Sequence, residues 1–300
     1  MNRSISLCKG VSGIYYSVGA YMLWGFLPLF WKALQGVPPQ EILAHRIFWS
    51  FLFVFIILIF SSKWKQLKPI MTVRGNLIRL MLSSFLISAN WFIYIWAVNA
   101  NKIVETSLGY YINPLFTVFL GITVLREKID LGQIVALAIA CIGVIIISLE
   151  YGKIPWVALL LALTFGLYGL IKKLVNVDST IGLCIETLFV FPVAAIYIIF
   201  SQLSSTGSFG VSLQVTIFLI SSGVVTAIPL LWFAAGARRI SLTTLGFIQY
   251  LSPSISLLLG VFVYHEPFTK LHLLSFSLIW CAIFIYSFTR TNGYLIQTDR

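Results

Sequence analysis

The sequence predicts an all-α integral membrane protein of ten transmembrane helices, arranged as two inverted five-helix repeats. Three observations carry this reading. First, 59% of the 300 residues are hydrophobic and only 10% are charged, with a mean hydropathy of +0.98; a water-soluble chain needs far more polar surface, so lipid must be the solvent for most of this one. Second, apolar runs of bilayer-spanning length, about 20 residues, follow one another from end to end. Third, one stretch occurs twice. Residues 96–109 (WAVNANKIVETSLG) match 233–246 (FAAGARRISLTTLG) at six of fourteen positions, and 114–127 match 253–266 at five more. The second copy has two extra residues between its Leu-Gly pair and its proline. A match of this length within one chain marks an internal duplication.

Taken in order, the spans fall at about 12–34, 41–61, 76–98, 103–125 and 131–149 in a first half, residues 1–150. A second half, residues 151–300, holds 154–171, 181–201, 213–235, 242–264 and 269–288. Arg3 and Lys9 precede the first run as they would in a secretory signal. That run is too long, however, and no small-residue cleavage site follows, so it is expected to stay as the first span. Backbone groups in lipid must bond internally, which leaves helices or a closed barrel. The runs lack the period-two alternation of barrel strands, which selects helices.

Orientation follows from the cations. With the N-terminus cytoplasmic, five of the 20 Lys and Arg residues fall on the outside (Lys32, Arg46, Lys102, Lys153 and Lys270) and the other fifteen on the inside. This places both termini in the cytoplasm. Five spans per half is an odd number, so the second half enters the membrane in the opposite sense, the architecture of many secondary transporters. The connections near 62–75 and 202–212 are too short to house a soluble domain.

Each duplicated stretch carries a proline in mid-run, Pro114 and Pro253. A proline inside a helix removes one donor and clashes with the carbonyl four residues earlier, here those of Tyr110 and Gln249. About 11 residues into its span, each lies ~16 Å deep, near the bilayer midplane. Polar side chains adjoin both prolines: Tyr110 and Asn113 in one copy, Gln249 and Tyr250 in the other. Interruptions at corresponding positions of two halves point to a substrate pathway; the competing reading is a pair of structural kinks satisfied by neighbouring Ser and Thr. Trp24, Asn90 and Trp91 are further candidates for that pathway, against a packing or interfacial role.

His45, Arg46 and Glu186 are ionisable groups at membrane depth and are candidates for gating or coupling. Arg46 has the alternative of snorkelling to the outer headgroups, and Glu186 that of a structural hydrogen bond. Each lies ~7 Å inside its own boundary on opposite sides of a ~30 Å core, so the two are expected not to pair. Three of the four cysteines, Cys141, Cys184 and Cys281, lie in apolar runs, and no spacing suggests a metal clip or disulfide framework. No nucleotide-binding loop or hydrolase signature occurs. Neither cofactor, metal, ATP nor nucleic acid is expected, and no enzyme, since Glu186 has no second acid beside it.

The residues also carry a family likeness. The run Glu41 to Arg46 (EILAHR) with Trp49-Ser50, the Asn90-Trp91 pair, Ile95 to Asn99 (IWAVN), Ser107 to Tyr110 with Ile112-Asn113-Pro114, Ile185-Glu186-Thr187, and Thr244 to Phe247 with Gln249-Tyr250 resemble the RarD subgroup of the EamA-type drug/metabolite transporters. The resemblance spans residues 12 to 288 and implies ten helices in inverted repeats, a bacterial inner-membrane location, and a central cavity with the fifth and tenth helices peripheral. It further implies a permease, read here as an exporter of a small metabolite or drug-like molecule. A non-transporting membrane scaffold is the alternative, and an intramembrane transferase a weaker one.

Overall fold

The computed structural model describes residues 2–100, 102–265 and 269–298. The elements are α1 (Asn2–Lys32), α2 (Pro39–Phe60), α3 (Leu67–Thr72), α4 (Arg74–Asn99), α5 (Ile103–Thr123), α6 (Leu131–Glu150), α7 (Trp156–Leu174), α8 (Ser179–Leu203), α9 (Leu213–Ala237), α10 (Leu242–Gln249), α11 (Leu251–Phe262) and α12 (Lys270–Thr298), with a 3-10 turn over Lys63–Gln66. No strand occurs among the described residues. Among the described residues, eight segments are long and apolar enough to cross a membrane: α2, α4, α6 to α9, α10 with α11, and α12. The chain is an all-α membrane protein. Windows 12–34 and 103–125 form α1 and α5, helices of 31 and 21 residues.

Local sequence explains the helix starts. Pro39 opens α2, where its missing N–H costs nothing. Asp130 and Gln133 form a capping box at α6, and Asp178, Ser212 and Ser241 accept backbone N–H groups at the first turns of α8, α9 and α10.

The helices alternate in direction between two faces. The lower face carries the start of α1, the 3-10 turn, the end of α7 and the starts of α8 and α10. The upper face carries the ends of α1, α4, α6, α8 and α11. The principal packing pairs are α5 with α7, α1 with α11, α2 with α9, α4 with α8, α1 with α9, α4 with α7, α2 with α8, α5 with α10, and α6 with α12. Small residues permit the tightest approaches. A Cβ on Gly223 would lie 2.4 Å from the Trp49 carbonyl carbon, so α2 and α9 meet almost backbone to backbone. Ser50 Oγ donates to Gly223 O at that crossing, at 2.9 Å.

The connection at 62–75 folds into the 3-10 turn and α3, whose Leu67, Ile70 and Met71 pack on the core. One expectation needs correcting: the two prolines do not act alike. Pro114 sits inside an uninterrupted α5, whereas the Pro253 segment breaks at Tyr250 into α10 and α11. The break coincides with the two-residue insertion, which puts Pro253 seven residues past Gly246 instead of the five that separate Gly109 from Pro114.

Candidate functional site

A cavity of about 850 Å³ occupies the centre of the bundle. Its walls come mainly from α1, α2, α4, α5, α7, α9 and the α10–α11 segment, with Ile147 of α6 and His272 of α12. They include Trp31, Tyr151 and Tyr264 at the upper face and stop at mid-depth, at Tyr21, Asn113, Phe165, Leu230 and Gln249. Both duplicated stretches reach it, through Tyr110 and Asn113 on one side and Gln249, Ser252 and Pro253 on the other.

Below the floor the bundle is shut by aromatic packing. Tyr168 stacks on Phe233 at 5.7 Å, and Tyr21 meets the same ring edge-on at 6.1 Å. Beneath these rings, polar ties link the lower ends of the helices. Lys172 Nζ lies 2.5 Å from Glu186 Oε1, and Lys63 Nζ lies 2.9 Å from Asp178 Oδ2. The Glu127 carboxylate accepts from Leu242 N, Thr243 N and Thr243 Oγ1 at 2.7, 2.9 and 2.7 Å, capping the start of α10. Lys173 and Arg238 donate to the carbonyls of Ile240 and Val177.

Arg46 is the one permanently charged side chain among the cavity-lining residues. Its Nε donates to Thr226 Oγ1 at 3.0 Å, and its guanidinium lies 4.8 Å from the Trp31 ring and 5.1 Å from that of Trp91. Asn90 donates to Leu161 O and Thr164 Oγ1, which holds α4 against α7. Trp24 packs edge-on against Tyr21 and Phe165 in the inner wall. At the floor, Tyr21 Oη and Asn113 Oδ1 are buried with no protein partner among the described residues, unusual for groups that normally find one.

Four sequence candidates stand outside the lining. Pro114 faces α10, its carbonyl oxygen 2.8 Å from where a Cβ on Gly246 would be. Tyr250 is turned toward α6 and α12, 1% exposed, and its hydroxyl donates to Tyr111 O at 3.4 Å. His45 is buried beside Glu41, accepts from Trp49 Nε1 at 3.1 Å and stacks on Phe209. There Glu41 accepts from Ser208 N and Phe209 N, tying α2 to the upper loop. Glu186 pairs with Lys172 and is not near Arg46, which bonds elsewhere.

The pairing of Glu186 with Lys172 adds a partner that the sequence did not indicate: α7 runs on to Leu174 and turns the Lys172 side chain inward, 5% exposed. Sequence reading also missed Tyr21, Trp31, Tyr94 and Thr226. A helical stripe was available for some of them: Tyr21, Trp24, Pro28 and Trp31 recur at spacings of three and four, and Asn90 and Tyr94 lie four apart.

Fold and cavity define a multi-pass, all-helical membrane protein built around a chamber of solute size. The profile of the EamA-like transporter family matches residues 11–149 and again 153–288. Among similar proteins, the "Uncharacterized transporter YojE" of Bacillus subtilis is 48% identical over 93% of this chain and 95% of its own length. Protein RarD of Escherichia coli is 38% identical over 91% and 93%, and an "Uncharacterized transporter" of Vibrio cholerae is 41% identical over 92% and 91%. A solved crystal structure superposes with a TM-score of 0.70, covering 92% of this chain and 97% of that one at 17% identity, which shows a shared fold. The chain belongs to the EamA-like transporter family, in its RarD type, and is a bacterial multi-pass membrane transporter.

Proposed function

We propose that the protein is a secondary transporter of ten membrane helices in two inverted five-helix repeats, residues 1–150 and 151–300, which exports a small metabolite or drug-like molecule by alternating access. The observation that carries the reading is the central cavity, walled by both duplicated stretches, reaching the upper face and shut at mid-depth. The packing supports the repeat. Exchanging α1, α2, α4, α5 and α6 for α7, α8, α9, α10–α11 and α12 turns each principal packing pair into another principal pair or into itself. Identifying the lower face with the cytoplasm, from the Lys and Arg bias, makes this an outward-open state whose inner side is held by the ties around Lys172, Glu127 and Asp178. The substrate pathway includes Trp24, Asn90, Trp91, Tyr110, Asn113, Gln249 and Pro253, with Arg46 as its charged contact. Glu186 acts as part of the inner closure.

The test is a screen of metabolite mixtures against proteoliposomes, with empty liposomes as control. Retention or release of at least one solute that depends on the protein, and falls when the floor is blocked by Asn113→Phe, is the expected result. No protein-dependent flux for any solute class would leave the scaffold reading in its place.

A further inference from the structure

Resting on the transport reading, we infer that the cavity selects a substrate with an anionic group, a carboxylate or similar monoanion, on an aromatic or otherwise flat apolar body. The lining contains no Asp, Glu or Lys among the described residues, and its one fixed charge is the Arg46 guanidinium. Arginine stays protonated under all ordinary conditions, and its planar fork matches a carboxylate in two parallel bonds. Among the described residues its hydrogen bond goes from Nε to Thr226. The flanking groups are the phenols of Tyr94 and Tyr110, whose rings lie 6.4 Å apart. Among the described residues the terminal nitrogens make no hydrogen bond, in a wall made of Trp31 and Trp91.

A charge in such surroundings is costly unless paired, and among the described residues no carboxylate pairs it. An incoming anion supplies that pair. An incoming amine would meet a like charge and find no acid among the lining residues to offset it. The body of the substrate is set by the same walls: Trp24, Trp31, Trp91 and Phe165 offer flat apolar surface on several sides. A second, independent sign of a ligand lies at the floor, where Asn113 Oδ1 and Tyr21 Oη are unpartnered although their side chains are 7% and 2% exposed. They would meet a polar group at the far end of the molecule.

The experiment uses the full chain in nanodiscs of phosphatidylcholine, so that no anionic lipid competes for Arg46. Binding of three probes of one shape is measured by calorimetry: phenylbutyrate, phenylbutyramide and phenylbutylamine. Phenylbutyrate should bind on the order of tenfold tighter than the amide, the size of one charge-assisted hydrogen bond, and the amine most weakly. Arg46→Gln should bring acid and amide to equal affinity. Arg46→Lys keeps the charge but not the fork, and should retain a reduced preference for the acid; it carries the test if the Gln variant fails to fold. Equal affinity of acid and amide in the unaltered protein, preference for the amine, failure of all three to bind, or an acid preference that survives in Arg46→Gln would each overturn the inference. Proteoliposomes that move neutral solutes while showing no acid preference would preserve the transport reading and discard this one.

Discussion

Lys172 Nζ sits 2.5 Å from Glu186 Oε1, with the two side chains only 5% and 1% exposed, joining the last turn of α7 to the second turn of α8. The ammonium also lies 5.4 Å from the Tyr168 ring, and Ser84 Oγ donates to the Glu186 carbonyl at 2.7 Å. The pair thus fastens three helices directly beneath the aromatic floor. Desolvation makes such a pair expensive to form and still more expensive to break on one side only. Glu186→Gln should therefore destabilise the fold by ~3–5 kcal/mol, because Lys172 is left buried and uncompensated. Joining it to Lys172→Met should recover most of that loss. The measurement is a double-mutant cycle on melting temperature in detergent; strictly additive losses would mean that the two groups do not interact in the folded protein.

How much of this was legible in the sequence differs by level. Spans follow from hydropathy because the bilayer imposes one length and one polarity on every helix, and the α2, α6 and α9 windows start within two residues of the observed helices. The site was legible where a polar residue broke an apolar run, as Arg46 and Asn113 do. It was not legible for Trp31 and Tyr94, since an aromatic residue near a helix end has the same pattern whether it faces lipid or a cavity. Lys172 was not legible for a related reason: a cation near a helix terminus has the same pattern in sequence whether its stem turns outward or into the bundle, and only packing reveals which. Which proline breaks its helix was likewise not legible, although the two extra residues before Pro253 mark where the two copies part.

Topology gives the most direct check of the inverted repeat. A single cysteine introduced within 63–74 should react with an impermeant maleimide only from the cytoplasmic side, and one within 203–211 only from outside. The labelling is read on intact cells against inverted vesicles. Reaction of both positions from the same side is incompatible with opposed halves.

The α2–α9 crossing tolerates no added atom. A Cβ at Gly223 would come within 2.4 Å of Trp49 Cβ and 2.5 Å of Ser50 N, and backbone cannot swing aside as a long side chain can. Gly223→Ala should cost about 1–3 kcal/mol or more through overpacking and reduce the yield of folded protein. Gly36→Ala, with open space around its Cβ, serves as the neutral comparison. Equal yields and melting temperatures for the two variants would show that the helices are not so close.

The Lys63–Asp178 tie at the lower face bears on pH. Burial pushes the Asp178 carboxyl up, but the Lys63 hydrogen bond, the Thr180 N–H and the charges of Lys63 and Arg238 together outweigh it and hold it below the usual carboxylate range. A depressed folded value means that the contribution is fully present above the unfolded value of about 3.9 and is lost as pH falls through the folded one. The difference in melting temperature between the unaltered protein and Asp178→Asn should therefore stay constant from about pH 8 to pH 5 and shrink only below about pH 4. A difference that collapses near neutrality would mean that another group, not Asp178, titrates at this contact.

The last prediction separates the two prolines. Pro253 follows the break at Tyr250 and lines the cavity, whereas Pro114 lies in continuous α5 with its carbonyl against Gly246. Removing a proline returns a donor to the helix ladder and relieves the clash with the carbonyl four residues back. At Pro253 that carbonyl belongs to Gln249, whose Oε1 accepts from Thr117 Oγ1 at 3.3 Å and whose side chain lines the floor. Pro253→Ala should therefore let α10 and α11 join and displace Gln249, changing transport rate severalfold at unaltered expression. Pro114→Ala acts in a helix that already runs through, at a residue outside the cavity lining, so its effect on rate should be the smaller of the two. Rates measured side by side in proteoliposomes decide between them. If Pro114→Ala proves the more damaging, the functional hinge lies in α5, and the break at Tyr250 is only a consequence of the insertion.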